Sequence, residues 1–226
     1  RFDNDAFEGR TELAHRTGEW RGVVGLQFLD RDFKALGEEA FVPPTDSRSW
    51  GYYLLQERNY GATKFTVSGR FETMEHDPDA GGPDYDDDAV SASLGWVFGL
   101  GGDYSSSLTL CYTERHPTPE ELYSDGPHAA TRAYEIGDPN LDTEVGAGVD
   151  LSLRAEYERF EATLSVFATR YDNFIYLAET GEEIDELESL GVATEGRLFV
   201  SDRVHLILPY HRGIELGAEE RRGDDK

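Results

Sequence analysis

The chain has 226 residues, of which 21 are basic and 46 acidic, so its formal net charge at pH 7 is −25. This acidity argues against nucleic acid and anionic lipid as partners and favours cationic ones. The single cysteine, Cys111, excludes an internal disulfide framework and a cysteine-rich zinc site. No stretch approaches the roughly 18 apolar residues of a membrane-spanning helix, which leaves a membrane barrel open.

Apolar and polar residues alternate along most of the chain, and a period of two is typical of β-strands. Leu94 and Trp96, for example, share one predicted face, whereas Ser93 and Gly95 share the other. In chain order the alternation predicts about nine strands, at residues 6–15, 20–33, 47–57, 64–76, 90–98, 104–113, 145–154, 160–169 and 210–219.

The connections between these strands alternate in length. Short ones are predicted near residues 16–19, 58–63, 99–103 and 157–159. Long ones are predicted at residues 30–46, 77–88, 116–143 and 177–209. Bacterial outer-membrane barrels are organised in this way, with long loops at one end of an up-and-down sheet and tight turns at the other. Strands of about 9–14 residues also suit a tilted membrane crossing.

The pattern predicts an all-β fold, an antiparallel up-and-down transmembrane β-barrel segment with long extracellular loops and short periplasmic turns. Aromatic residues near the strand ends, such as Trp20, Trp50 and Trp96, could form the interfacial girdles of such a barrel. The same aromatics could also cap the core of a soluble sheet. A soluble β-rich binding or adhesion domain, with its apolar face turned inward, is therefore the alternative.

Two sequence boxes lie in the third long loop, "TERHPTPEELYSDGPH" at residues 113–128 and "YEIGDPNLDTE" at residues 134–144. A strand, a tight turn and "FEATLSVFATRYDNFIYL" at residues 160–177 follow them. This order resembles the late barrel of TonB-dependent outer-membrane receptors, and within them the group that includes zinc-uptake and haem-uptake receptors. "RDFKALGEEAFVPPT" at residues 31–45 is similar to an extracellular loop of that group.

The resemblance covers about residues 1–190 and resumes at "HRGIELGAE", residues 211–219. Residues 192–208 carry no motif that we recognise, and their role stays open. Family barrels have roughly 22 strands. The resemblance therefore implies that residues 1–226 are one partial barrel domain, with the plug domain and the C-terminal strands absent from this chain.

The implied function is TonB-dependent uptake of a scarce nutrient across the bacterial outer membrane, with zinc, haem or another metal chelate as the transported ligand. The implied partners are the TonB energy-coupling complex, which acts through the missing plug, the metal or chelate itself and the lipid of the outer membrane. We expect no nucleic acid and no permanently bound cofactor.

The resemblance also points to ligand-binding residues in the third long loop. His128 ends the first box and precedes the second, where haem receptors of this family carry a ligand-contacting histidine. Imidazole suits zinc and iron, whereas carboxylates suit harder cations. His116 stands where the family usually has alanine, but it could complete a site with nearby residues of the loop. The further candidates there are Glu120, Glu121, Tyr123 and Asp125.

The second long loop is strongly acidic, and a histidine, His76, directly precedes it. His76, Asp77 and Asp79 are candidate metal ligands, because this loop could concentrate divalent cations. The loop lacks the ligand spacing of an EF-hand, and a solvated acidic loop without a bound ion is the commoner arrangement.

Motifs for catalysis are missing from the sequence. We find no G-x-S-x-G, no phosphate-binding G-x-x-x-x-G-K and no H-E-x-x-H. The glycine-rich stretch at residues 99–103 is predicted to be a hairpin turn, because no helix follows it. We therefore expect a protein that is not an enzyme, and an outer-membrane hydrolase is the less favoured alternative.

Overall fold

The computed structural model describes residues 2–37, 40–80, 82–128, 131–157, 160–184, 187–201 and 204–207. These residues form one sheet, in which successive long strands pair antiparallel in chain order. The strands are β1 (Phe2–Thr17), β2 (Trp20–Ala35), β3 (Thr45–Tyr60), β4 (Thr63–Pro78), β5 (Tyr85–Gly101), β6 (Tyr104–Arg115), β7 (Asp125–His128), β8 (Ala133–Ile136), β9 (Glu144–Tyr157), β10 (Phe160–Ile184), β11 (Leu187–Ser201) and β12 (Val204–Ile207). A short helix, α1 (Pro119–Tyr123), lies between β6 and β7.

Eight of the predicted strands are confirmed, and they are longer than the alternation suggested. The strand predicted at residues 6–15, for example, is β1 and spans Phe2–Thr17. The long loops are correspondingly shorter, because β2 continues to Ala35 and β5 begins at Tyr85. The strand predicted at residues 210–219 lies outside the described residues.

The prediction of a long loop at residues 177–209 is wrong. β10 continues for 25 residues to Ile184, and β11 returns antiparallel to it from Leu187. This part of the hairpin lies beyond the apolar region of the sheet. Neither face of this segment requires a regular series of apolar residues. The sequence therefore lacks the period of two, although the backbone is extended.

One face of the sheet is apolar and exposed. Val67, Leu94, Leu110 and Val149 are directly paired neighbours on four adjacent strands. Leu94 is 37% exposed, Leu110 41% and Val149 40%, and Leu164 on β10 is 45% exposed. Within the described part of the chain, no second layer covers these side chains. The soluble alternative required this face to be buried, so the observed exposure argues against it.

The opposite face is polar. Arg70 donates to Glu72 at 2.9 Å and to Gln27 on β2 at 3.1 Å. Arg154 forms an ion pair with Glu161 across the β9–β10 hairpin, with 2.7 Å between nitrogen and oxygen. Four further polar or charged residues lie on this face, since each is offset by an odd number of positions from an apolar-face residue of its strand: Glu144, Asp150, Arg154 and Glu161.

Aromatic rings flank the apolar face at both ends. Towards the tight turns, the Phe65 ring contacts Trp20 and Trp96, with centroids 6.0 and 5.3 Å away. Towards the other end, Phe28 contacts Trp50 at 4.5 Å and Tyr52 contacts Phe71 at 6.4 Å. Phe65 and Phe71 lie on the same strand, β4, and at about 3.3 Å per residue their backbones are roughly 20 Å apart.

The tight turns after β1, β3 and β5 lie at one end of the sheet. Gly18 has φ 61° between β1 and β2, and Gly61 has φ 59° between β3 and β4. This left-handed conformation is adopted freely only by glycine, and it lets the chain reverse within two residues. Among the described residues, no helix is long and apolar enough to cross a membrane.

Candidate functional site in the loop cap

The connections at residues 36–44, 79–84 and 116–143 meet at the end of the sheet opposite the tight turns, as predicted for the first three long loops. We call these connections the loop cap. The Asp125 amide donates to the Phe41 carbonyl at 2.7 Å, and the Asp79 amide donates to the Pro44 carbonyl at 2.9 Å. The Tyr123 hydroxyl donates to the Pro83 carbonyl at 3.0 Å. These bonds join the three connections to one another.

Local sequence explains why the third connection folds. Thr118 is the N-cap of α1: its hydroxyl accepts from the Glu121 amide at 3.3 Å, and the Glu121 carboxylate accepts from the Thr118 amide at 2.7 Å. This capping box satisfies two amide groups that a helix start would leave unpaired. Pro119 follows at the first helical position, where no amide is required.

An apolar cluster holds α1 against the sheet. Leu122 is 1% exposed and Tyr123 3%, and both belong to this cluster. Their buried partners are Tyr85, Leu141 and Ile175, from β5, the end of the third connection and β10. The ligand candidate Tyr123 is therefore part of the packing of the loop cap.

Glu121 is engaged in an ion-pair network as well as in the capping box. Both of its carboxylate oxygens accept from the Arg115 guanidinium, at 2.9 and 3.2 Å. Arg115 also contacts Glu144, at 3.4 Å. The structure thus places Glu121 where it fixes the start of the loop. Glu120 is half-buried on the same helix, and its carbonyl accepts from the Ser124 hydroxyl.

Two predicted histidines lie together beneath the loop cap. His76 is 4% exposed and His116 8%. Nδ1 of His76 lies 2.8 Å from the Ser47 hydroxyl, and Nδ1 of His116 lies 3.0 Å from the Tyr85 hydroxyl. Nε2 of His116 is buried, and among the described residues it has no hydrogen-bond partner. The Tyr85 ring also stacks on His76, with centroids 5.7 Å apart, and so joins the two imidazoles.

Burial changes the protonation of this group. It lowers the pKa of His76 to about 4, against the opposing effect of the Pro117 carbonyl. Burial also raises the pKa of the Tyr85 hydroxyl, and the nearby Asp87 raises it further. At neutral pH His76 is therefore an uncharged imidazole, which is the form that can accept a metal ion but not the form that attracts an anion.

His128 lies apart from these residues, at the end of β7. Its Nδ1 is 2.8 Å from Oε1 of Glu135 on β8. Its ring stacks on Phe41, with centroids 4.2 Å apart and an interplanar angle of 19°. The His128 side chain is 29% exposed, whereas that of Glu135 is 7% exposed. Nearby, the exposed Asp125 accepts from the Tyr134 hydroxyl at 2.9 Å.

Two clefts open beside these residues. One, of about 220 Å³, is lined by Arg48, His76 and five carboxylates that include Asp77. The other, of about 310 Å³, is lined mainly by apolar residues such as Phe41 and includes Asp125. The exposed Asp79 follows two residues after Asp77, which lines the first, acidic cleft.

The structure brings His76 close to His116 and places Glu120, Glu121 and Tyr123 on one helix, but it leaves His128 in a separate group. In the part of the chain that the structure describes, no three or more His, Cys, Asp or Glu side chains are grouped so that they could hold a metal ion. Sequence reasoning missed Phe41, Tyr85, Arg115 and Glu135. The first two carry no local signal, because they come from other connections or strands. Glu135 could have been predicted as a neighbour of His128 if a hairpin had been predicted here, because the hairpin pairs His128 with Ala133, two residues before Glu135.

Comparisons with known proteins give a consistent fold. The model of a protein family described as TonB dependent receptor-like, beta-barrel matches residues 1–219. The structure of the copper transporter OprC superposes with a TM-score of 0.72 at 13% identity, over 88% of this chain and 33% of that one. The Serratia marcescens hemophore receptor HasR, solved with its hemophore HasA and heme, gives 0.65 at 15% identity, over 91% and 39%. The Pseudomonas aeruginosa ferric enterobactin receptor PfeA gives 0.66 at 15%, over 94% and 34%.

Two curated proteins are similar to a short segment of the chain. Adenylosuccinate synthetase from Salinibacter ruber (strain DSM 13855 / M31) is 56% identical over 41 residues, which are 18% of this chain and 9% of that enzyme. The enzyme of the same name from Koribacter versatilis (strain Ellin345) gives the same values. The chain thus covers about a tenth of these synthetases and about a third of the receptors with solved structures.

Proposed function

Because the chain belongs to the TonB-dependent receptor-like β-barrel family, we propose that it supplies part of the wall and part of the ligand-binding cap of an outer-membrane receptor. This receptor takes up a scarce nutrient, and zinc, haem or another metal chelate is the cargo. The family consists of receptors and transporters of the bacterial outer membrane. The proposal places the loop cap outside the cell and the tight turns in the periplasm.

One observation carries this proposal: the apolar face is exposed, spans roughly 20 Å between two aromatic bands and ends below a polar loop cap. An apolar belt about 25 Å tall with aromatic girdles is what the outer surface of a membrane barrel requires. Lipid is therefore the partner of this face. The polar face lines the interior, which holds the plug in a longer receptor.

The remaining partners follow from this arrangement. The TonB complex acts on the plug, and this chain contributes the wall against which the plug moves. We assign no nucleic-acid partner, because the net charge is −25. We also assign no permanent cofactor and no enzymatic reaction. The segment similar to adenylosuccinate synthetase spans only 9% of that enzyme.

The cargo assignment depends on the loop cap. His128 presents an imidazole at the surface of the cap, and imidazole binds zinc and haem iron. The carboxylates of the acidic cleft, and the net charge as a whole, favour the approach of cationic cargo. The buried His76 and His116 lie below this surface, where they support the cap and could receive cargo only after the cap opens.

Replacement of His128 by alanine in the full receptor tests this assignment. We expect zinc or haemin to bind at least about tenfold more weakly, which is about 1.4 kcal/mol, with an unchanged amount of folded barrel. Asp142→Asn is the matched control, since it removes an exposed charge from the same connection. Unchanged affinity for both ligands in the His128→Ala receptor, measured in detergent, would show that this histidine does not bind the cargo.

A further inference from the structure

We infer that Glu135 positions the imidazole of His128 and fixes its tautomer, so that Nε2 of the ring is presented to the cargo. This inference rests on the proposed function, because it names a second residue of the same site. Nδ1 of His128 lies 2.8 Å from Oε1 of Glu135. An ionised carboxylate only accepts hydrogen bonds, so Nδ1 carries the proton and Nε2 keeps its lone pair. This tautomer of neutral imidazole can bind zinc or iron through Nε2.

The carboxylate of Glu135 is itself held in place. The Glu135 side chain is 7% exposed, and the Thr131 hydroxyl donates to the same Oε1 at 2.9 Å. A buried carboxylate is stable only when its hydrogen bonds are made. The two donors therefore fix the position of Oε1, and Oε1 in turn determines which edge of the His128 ring faces inward.

The plane of the ring is fixed by Phe41. Phe41 is 8% exposed, and its ring lies nearly parallel to that of His128, with centroids 4.2 Å apart. The hydrogen bond to Glu135 and this stacking restrict two different rotations of the imidazole. With the Nδ1 edge and one ring face occupied, the Nε2 edge of the 29% exposed side chain is the part that a ligand can reach.

The backbone around this pair is tied to the large sheet. His128 pairs with Ala133 across the β7–β8 hairpin, and the Arg132 amide donates to the His128 carbonyl at 2.9 Å. Glu135 pairs with Leu190 of β11 in a parallel arrangement. A buried carboxylate behind a histidine, on a backbone that is itself fixed, is the arrangement that orients metal-binding histidines in proteins.

Glu135→Gln in the full receptor tests the positioning role. Glutamine preserves the shape, but it can offer either an oxygen or an NH₂ group to Nδ1, so it no longer fixes the tautomer. We expect zinc and haemin each to bind roughly 10–100-fold more weakly. We also expect ¹⁵N NMR of the His128 ring to change from the Nδ1–H tautomer to a mixture. The Asp142→Asn receptor should keep the affinity and the tautomer of the wild type.

The outcomes separate this inference from the proposed function. If His128→Ala leaves zinc and haemin affinity unchanged, the proposed cargo site is wrong, and the positioning role is lost with it. If His128→Ala weakens binding but Glu135→Gln retains the wild-type tautomer, only the positioning role is overturned. An Nε2–H tautomer in the wild-type receptor would also overturn it, and this measurement does not require any variant to fold.

Discussion

The Glu144 carboxylate at the start of β9 accepts a hydrogen bond from the backbone amide of Ile175 in β10, at 2.9 Å. Glu144 is 8% exposed and Ile175 6%, so the bond lies inside the packed part of the loop cap. Glu144 also contacts Arg115, which in turn binds Glu121 of α1. One carboxylate thus connects the end of the second sequence box to the long strand behind it and to the helix above it.

Glu144→Ala should loosen the loop cap, because it leaves the Ile175 amide without its buried acceptor. Loss of a buried acceptor costs about 1–3 kcal/mol. Hydrogen exchange of the Ile175 amide in the full receptor should therefore become roughly 5–150-fold faster, since about 1.4 kcal/mol corresponds to a factor of ten. Glu156→Ala, at the exposed turn end of the same strand, is the control and should leave this amide unchanged. Equal exchange in both variants would mean that Glu144 does not hold the cap.

Arginine substitutions should distinguish the two faces of the sheet. Leu110 lies on the apolar face, whereas its neighbour Thr109 lies on the polar face opposite Asp150. Arginine on a lipid-facing strand costs about 2–4 kcal/mol near the bilayer midplane. Leu110→Arg should therefore lower the stability of the receptor refolded into lipid vesicles by about this amount, and Thr109→Arg by much less. Similar losses at both positions would contradict a lipid-facing role for Leu110.

Acid should destabilise the loop cap through His76. Its pKa is lowered to about 4 in the folded state from an ordinary value of 6.5. Between these two values the unfolded or opened cap binds a proton that the closed cap does not. The His76 contribution is therefore constant above pH 6.5, and the cap loses up to about 1.4 kcal/mol per pH unit as the pH falls from 6.5 towards 4.

The measurement for this prediction is hydrogen exchange in the loop cap of the full receptor at pH 7 and pH 5, corrected for the intrinsic pH dependence of exchange. His76→Gln should remove this part of the acid sensitivity. His15→Gln, which changes a histidine of β1 far from the cap, should retain it. If the His76→Gln receptor keeps the same acid sensitivity, another titrating group causes it.

The strands and the sidedness of the sheet could be predicted from sequence because lipid and a polar interior impose opposite demands on alternate residues. Leu94 and the adjacent Ser93, for example, lie on the apolar and the polar face, as the polarity of their side chains predicts. The same logic failed for β11, whose residues near Leu190 pair outside the apolar region and carry no alternation. Strand ends were also underestimated, because pairing continues through polar residues such as Asp86 into the loop cap.

The candidate site could be predicted only in part. The sequence boxes identified the third connection and His128, since a resemblance marks short motifs. They could not identify which neighbours surround these residues, because Phe41 reaches His128 from a different connection and Tyr85 reaches His116 from β5. Nor could the sequence distinguish a partly exposed histidine from a buried one: His116 and His128 occur in the same connection, yet His116 is 8% exposed whereas the His128 side chain is 29% exposed.

Uptake by whole cells tests the central claim most directly. The full receptor is expressed in two strains that lack their own zinc and haem receptors, one with TonB and one without it, and accumulation of labelled zinc and of haem is measured. We predict that at least one of these ligands accumulates only when the receptor and TonB are both present, and less in the His128→Ala receptor. Accumulation of neither ligand above the level of cells without the receptor, or equal accumulation without TonB, would contradict the proposed function.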